Sequence, residues 1–326
     1  MNYKNDVDER YMMDKYDVFP CFEQATLRIE ITNACNHRCI FCPNSFHGRK
    51  RKNMDPILVE RIIVEAAELK IKRVALFMNG EPFLVPDLAK YVKLCKIQGI
   101  EYVFITTNAG VATEDRMIEV LEAGLDSIKF SINAGTRESY KKIHGADGYD
   151  KAMSLLRFTR KHRDENHLAC RILVGFVVTD FTQEEMELQA SEIINVADDI
   201  LFFKPDNFGG YMTELYKNYF SKNVDTELPF YDYPNKNLPC TMLFNSINVT
   251  CEGYLTLCCS EALNYMVIED INKLSLKDAW HSKAMAEIRT RHINGNVSNT
   301  QCYRCIFDTQ TSVEPLNYEF FLKGKE

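Results

Sequence analysis

LRIEITNACNHRCIFC, residues 27–42, reads as a β-strand running straight into a cysteine-rich loop. Leu27, Ile29 and Ile31 alternate with Arg28, Glu30 and Thr32, the period-2 pattern of a strand with one face buried. Cys35, Cys39 and Cys42 follow as CxxxCxxC. Three thiolates this close can wrap one face of an iron–sulfur cubane, and with four irons in the cubane one is left open to a small chelating molecule. The same loop could instead take zinc, with His37 or His47 as a distant further ligand.

Outward from this stretch, short β-branched or aromatic runs alternate with longer amphipathic ones. The strands expected are 27–32, 73–77, 102–106, 127–131, 171–178 and 200–203, and the helices 56–69, 86–98, 114–123, 149–162 and 183–196. Strand–helix alternation predicts a parallel sheet with right-handed crossovers, here an α/β partial (β/α)6 barrel. In such sheets the functional loops lie beyond the carboxyl ends of the strands.

With 326 residues there is room for one large α/β domain and a small appended one. Apolar residues make up 46% and charged residues 26%, which argues against a disordered or fibrous chain. The net charge of −7 gives no basic field for nucleic acid or anionic lipid, so neither is expected as a partner. The first twenty residues carry charges throughout and no later stretch is apolar enough to span a bilayer, so a cytoplasmic protein is expected. In a reducing compartment, closely spaced cysteines are more often ligands or catalytic thiols than disulfides.

A second cysteine group lies further on. Residues 207–238 read as a linker or substrate-covering loop, rich in Tyr, Asn, Asp and Pro. Beyond it, 246–250 and 254–257 flank Cys251-Glu252-Gly253 like a hairpin, and 275–290 is helical. The expected division is 1–23 as an extension, 24–206 as the barrel, 239–310 as a small domain and 311–326 as a tail. Cys240, Cys258, Cys302 and Cys305 form a complete ligand set for zinc or for a second iron–sulfur cluster, and spacing alone does not separate the two. Cys21, Cys95 and Cys170 read as buried small hydrophobes. Cys251 has no assigned role.

These motifs resemble those of the radical S-adenosylmethionine (SAM) enzymes, whose hallmark CxxxCxΦC has an aromatic where Phe41 stands. Asn79-Gly80-Glu81-Pro82 is similar to the family's GGEP loop, with Asn79 in place of the first glycine. Asn108, Ser131 and Asn133 match positions that contact the methionyl carboxylate and ribose, and Val174 falls in a segment similar to the one packing on adenine. The resemblance therefore implies Phe41, Asn79, Gly80, Glu81, Asn108, Ser131, Asn133 and Val174 as SAM contacts, and Cys35, Cys39 and Cys42 as ligands of a SAM-binding 4Fe–4S cluster. C-x12-G-x4-C, a helix with Trp280 and a closing CxxC resemble the SPASM/twitch extension, which implies one auxiliary 4Fe–4S cluster on Cys240, Cys258, Cys302 and Cys305. Two such clusters and SAM are thus the expected cofactors, with a flavodoxin- or ferredoxin-type reductant as partner.

The activity that the resemblance implies is hydrogen-atom abstraction from a small carbohydrate- or cyclitol-like substrate, giving dehydrogenation or epimerisation. In epimerisation Cys259 would be the hydrogen-atom donor. Lys204, Arg171 and Asp206 are candidate bases. The alternatives are radical modification of a peptide, by thioether formation or epimerisation, and a non-catalytic iron–sulfur electron carrier or zinc scaffold.

Overall fold

The structure, a computed structural model, describes residues 16–46, 48–212, 218, 230–231, 238–307, 309 and 311–325. Most of the expected N-terminal extension, His47 and most of the 207–238 loop lie outside the described residues.

Among the described residues, ten strands form one sheet: β1 (Thr26–Ile29), β2 (Arg73–Ala75), β3 (Tyr102–Thr107), β4 (Ser127–Ser131), β5 (Arg171–Val177), β6 (Asp199–Phe203), β7 (Phe230–Tyr231), β8 (Ser246–Val249), β9 (Tyr254–Thr256) and β10 (Val267–Asp270). Their order is β10-β9-β8-β1-β2-β3-β4-β5-β6-β7. β1 to β6 are the six strands expected, each parallel to the next. Alternation sets their faces. Leu27, Ile29, Val103, Ile105, Ile128 and Phe130 are buried in the main core, while Arg28, Phe104, Thr106, Lys129 and Ser131 are partly exposed on the other, inner face.

The helices between the strands are α1 (Pro56–Glu68), α2 (Leu88–Ile97), α3 (Glu114–Glu122), α4 (Arg137–His144), α5 (Tyr149–Glu165) and α6 (Met186–Ile193). Local chemistry starts and stops them. Asp55 caps α1 ahead of Pro56, and Thr113 caps α3. Helix α4 was not expected, because RESYKKIH is short and polar. It is capped by Thr136, closed by Gly145 in the left-handed region, and buries Tyr140, Ile143 and His144 at helical spacing.

The C-terminal part departs from expectation in its join to the barrel. β8 pairs in parallel with β1, Thr26 opposite Ser246 through Ile29 opposite Val249, so the β8–β9 hairpin and β10 continue the barrel sheet. After α7 (Met242–Asn245), the single helix expected over 275–290 divides into α8 (Leu276–Trp280) and α9 (Lys283–Ile293). The break falls where Ser282 caps a new helix on the Met285 amide, as Ser275 caps the first on that of Asp278. α10 (Gln301–Phe307) and α11 (Tyr318–Lys323) follow. Buried Arg289 locks this region by donating to the carbonyls of Leu243 at 2.9 Å, Val18 at 2.9 Å and Trp280 at 2.9 Å. Its guanidinium also lies 4.0 Å over the Trp280 ring. Cys95 and Cys170 are buried as expected, but Cys21 is exposed, since it lies in the turn before β1 rather than under a helix. No helix among the described residues is long and apolar enough to cross a membrane.

Candidate functional site

The CxxxCxxC loop leaves the carboxyl end of β1 and is pinned to α4: Arg38 and Ile40 amides donate to the His144 and Ile143 carbonyls, each at 2.9 Å. Burial pushes the Cys35 thiol up, Cys39 well up and Cys42 up to about 12. A bound metal, rather than a nearby cation, is what would keep such sulfurs deprotonated at neutral pH. His144 lies behind Cys39, its Nδ1 3.3 Å from the sulfur and 3.2 Å from His37 Nδ1. Its Nε2 is 2.8 Å from the Ile132 carbonyl, so Nε2 carries the proton and donates. Burial lowers the His144 pKa to about 3 and that of His37 to about 4. Sequence reasoning missed His144, which stands 105 residues from Cys39.

The Asn79-Gly80-Glu81-Pro82 loop, after β2, lies directly on this cysteine loop. The Glu81 amide donates to the Ala34 carbonyl at 2.8 Å. A Cβ on Gly80 would stand 2.8 Å from that same oxygen and closer still to the Thr32 carbonyl, so only glycine fits. The Glu81 carboxylate accepts from the Thr107 hydroxyl at 2.7 Å, the Asn108 amide at 2.8 Å and the Phe83 amide at 3.1 Å. Burial nonetheless raises its pKa to about 7. Its visible work is to tie the loops after β2 and β3 together.

Asn79 accounts for its own departure from GGEP. Its side-chain amide donates to Glu30 at 3.0 Å and to the Glu261 carbonyl at 2.5 Å, while its backbone carbonyl accepts from the Asn44 side chain at 2.6 Å. Asn108 turns its amide toward Asn36 at 3.0 Å and the Cys35 sulfur at 3.5 Å. Asn133, at φ +57°, accepts from the Val177 amide at 2.8 Å. Ser131 and Phe41 are partly exposed, whereas Val174 packs into the helix-side core apart from the other expected contacts.

The second cysteine set also comes together. Cys240, Cys258, Cys302 and Cys305 line one cavity of about 240 Å³, with Cys259, Arg28, Asp206 and Ser260. Cys302 and Cys305 are one turn apart on α10, hence on one face. Burial raises the thiols of Cys240 to about 11 and Cys302 to about 12. A hydrogen bond from Cys258, aided by the charge of Arg28, lowers that of Cys259. Of the expected bases, Asp206 lines this cavity and accepts from the Ser260 hydroxyl at 2.7 Å. Lys204 and Arg171 do not line it, and Arg171 begins β5 at the end of the strand opposite the loops. Cys251 belongs elsewhere, to a buried cluster unseen in the sequence. There Arg49 pairs with Glu30 at 2.6 Å and Glu252 at 2.5 Å, and the Cys251 amide donates to Glu30 at 2.9 Å. Burial works against the Arg49 charge, but the two carboxylates outweigh it and hold the pKa well up.

The sequence matches the radical SAM superfamily over residues 29–188 and the SPASM iron–sulfur cluster-binding domain over 240–306. The chain belongs to the radical SAM superfamily. This radical SAM enzyme therefore takes SAM and 4Fe–4S clusters as cofactors. Among curated proteins it is similar to a probable GTP 3',8-cyclase of Metallosphaera sedula, 31% identical over 180 residues that make up 53% of this chain and 52% of that protein. It thus spans about half the length of that relative, whose name specifies a cyclase acting on GTP and not the expected dehydrogenation or epimerisation of a carbohydrate- or cyclitol-like substrate. Its fold is similar to that of BtrN in complex with AdoMet and 2-DOIA (TM-score 0.55, 21% identity, 90% of this chain and 93% of that one). It is also similar to Streptococcus suis SuiB bound to S-adenosylmethionine (TM-score 0.64, 17% identity, 88% and 71%).

Proposed function

We propose that this radical SAM enzyme abstracts a hydrogen atom from an unactivated C–H of a small, hydroxylated, carbohydrate- or cyclitol-like substrate, ending in dehydrogenation or epimerisation. In this reading Cys35, Cys39 and Cys42 hold the SAM-binding cluster, and Cys240, Cys258, Cys302 and Cys305 hold one auxiliary cluster. Bound together, cluster and SAM supply a 5′-deoxyadenosyl radical, chemistry outside the reach of side-chain acids and bases.

The remaining work falls to the chain. Gly80 lets the Glu81 loop lie against the cysteine loop, Glu81 fixes Asn108, and Asn108 orients toward Cys35. In this reading the substrate sits in the largely apolar cavity lined by Cys240, Cys258, Cys302 and Cys305, where Arg28 and Asp206 offer it polar contacts. Asp206, held by Ser260, is the carboxylate able to accept a proton at the cavity.

The observation carrying the proposal is the convergence of four cysteines on one cavity. Four thiolates saturate a cluster's protein ligation, which suits electron transfer rather than substrate chelation. The electron for SAM would come from a flavodoxin- or ferredoxin-type donor in a reducing compartment. A second reading, radical chemistry on a nucleotide, is favoured by the name of the M. sedula relative. Anaerobically reconstituted, reduced protein is incubated with SAM and either GTP or a panel of sugars and aminocyclitols, and 5′-deoxyadenosine is quantified. Stimulation by a panel member supports the proposal, stimulation by GTP alone supports the nucleotide reading, and no 5′-deoxyadenosine under any condition refutes both.

A further inference from the structure

Arg28 is the basic side chain lining the cavity that the four cysteines share. It lies on the inner face of β1, and its guanidinium reaches across to β8, donating to the Ser246 hydroxyl. That hydroxyl donates onward to Asn248 at 3.0 Å, so Ser246 is free to accept and the guanidinium is aimed toward the auxiliary segment. Arg28 is half-buried, and this hydrogen bond is to a neutral group rather than a carboxylate. The carboxylate in the same lining, Asp206, is engaged by the Ser260 hydroxyl. A guanidinium held this way in a largely apolar cavity calls for an anion.

The cysteines around the cavity supply one. A cubane bound by four thiolates carries net negative charge that grows by one on reduction, and nearby charge is among the factors that set its potential. A fixed cation beside it stabilises the reduced form more than the oxidised form. We propose that Arg28 raises the electron affinity of the auxiliary 4Fe–4S cluster and so poises it to receive an electron. The inference rests on the ligand assignment above.

The test uses the whole 326-residue chain carrying Cys35→Ala, Cys39→Ala and Cys42→Ala, so that its remaining iron belongs to the auxiliary site. Potentiometric titration is followed by EPR without substrate. Arg28→Met should lower the electron affinity about tenfold, which is about 59 mV for a one-electron couple. Arg28→Lys, which keeps the charge, should stay within about threefold of the parent. If Arg28→Met does not assemble its cluster, Arg28→Gln, neutral but able to bond Ser246, is read in the same way. A methionine or glutamine variant indistinguishable from the parent refutes the inference, as does a lysine variant shifted as far as methionine. An arginine serving only to grip an anionic substrate would give the first of these results. A triple-alanine parent holding no iron refutes the ligand assignment itself, whereas one holding about four irons with a potential indifferent to residue 28 refutes only the role of Arg28.

Discussion

Replacing Gly80 by alanine tests whether the Glu81 loop and the cysteine loop are seated as one unit. The added methyl would stand 2.8 Å from the Ala34 carbonyl oxygen and closer to that of Thr32. Non-bonded atoms settle at about 3.5–4.0 Å, so the two loops must part by about 1 Å. Both neighbours are backbone, anchored by the Glu81-to-Ala34 hydrogen bond at 2.8 Å, and no side chain can swing away to relieve the contact. Overpacking of this kind costs about 1–3 kcal/mol, and for a protein of this size should lower the melting temperature by about 1.5–4.5 °C. The functional loss should be larger, since a displacement of about 1 Å within a binding constellation can cost on the order of a hundredfold. Calorimetric melting and equilibrium dialysis of SAM on the anaerobically reconstituted variant measure the two effects. Unchanged melting together with wild-type SAM affinity would show that the loops are not seated as described.

Four further outcomes are expected. Because burial raises the Glu81 pKa from 4.5 to about 7, the folded state keeps a proton that the unfolded chain loses. Stability should therefore fall by about 3 kcal/mol as pH rises through that window and level off above it; denaturant melts of Glu81→Gln should lack this slope, and a persisting slope assigns it elsewhere. Iron analysis should find about eight irons in the reconstituted protein and about four once Cys35, Cys39 and Cys42 become alanine, whereas a fall to none would refute the assignment of Cys240, Cys258, Cys302 and Cys305 as ligands of an auxiliary cluster. Arg289→Met strands three carbonyls, those of Leu243 and Trp280 buried and that of Val18 partly so, and should cost about 2–4 kcal/mol in urea unfolding; a loss under about 0.5 kcal/mol would show that water replaces the guanidinium. Cys259→Ala should abolish epimerisation, scored by solvent deuterium in the product, while leaving any dehydrogenation intact; an epimerase unaffected by the change takes its hydrogen from another group.

Much of the fold and site is readable in the sequence because it is local. The six barrel strands announce themselves by alternation, and metal-ligand spacing such as CxxxCxxC is contained in a few residues. What escapes is non-local. Pairing of β8 with β1 joins residues more than two hundred positions apart, and nothing within either strand specifies the other. The Arg49–Glu30–Glu252 cluster and the approach of His144 to Cys39 likewise depend on how loops stack once the sheet has formed. The division of the 275–290 helix is locally encoded, since a second serine N-cap stands at Ser282; the apolar periodicity running through it conceals the signal. Asn79 looks like a lapse from a motif, and its partners Glu30 and Glu261 give it a purpose.

Because β8 occupies the flank of β1, the barrel half has no finished border of its own there. Severing the chain ahead of Cys240 would lay bare a row of amide and carbonyl groups along β1, an open template that captures any stray strand. Expressed alone, such a fragment would self-associate rather than behave as a soluble catalytic core.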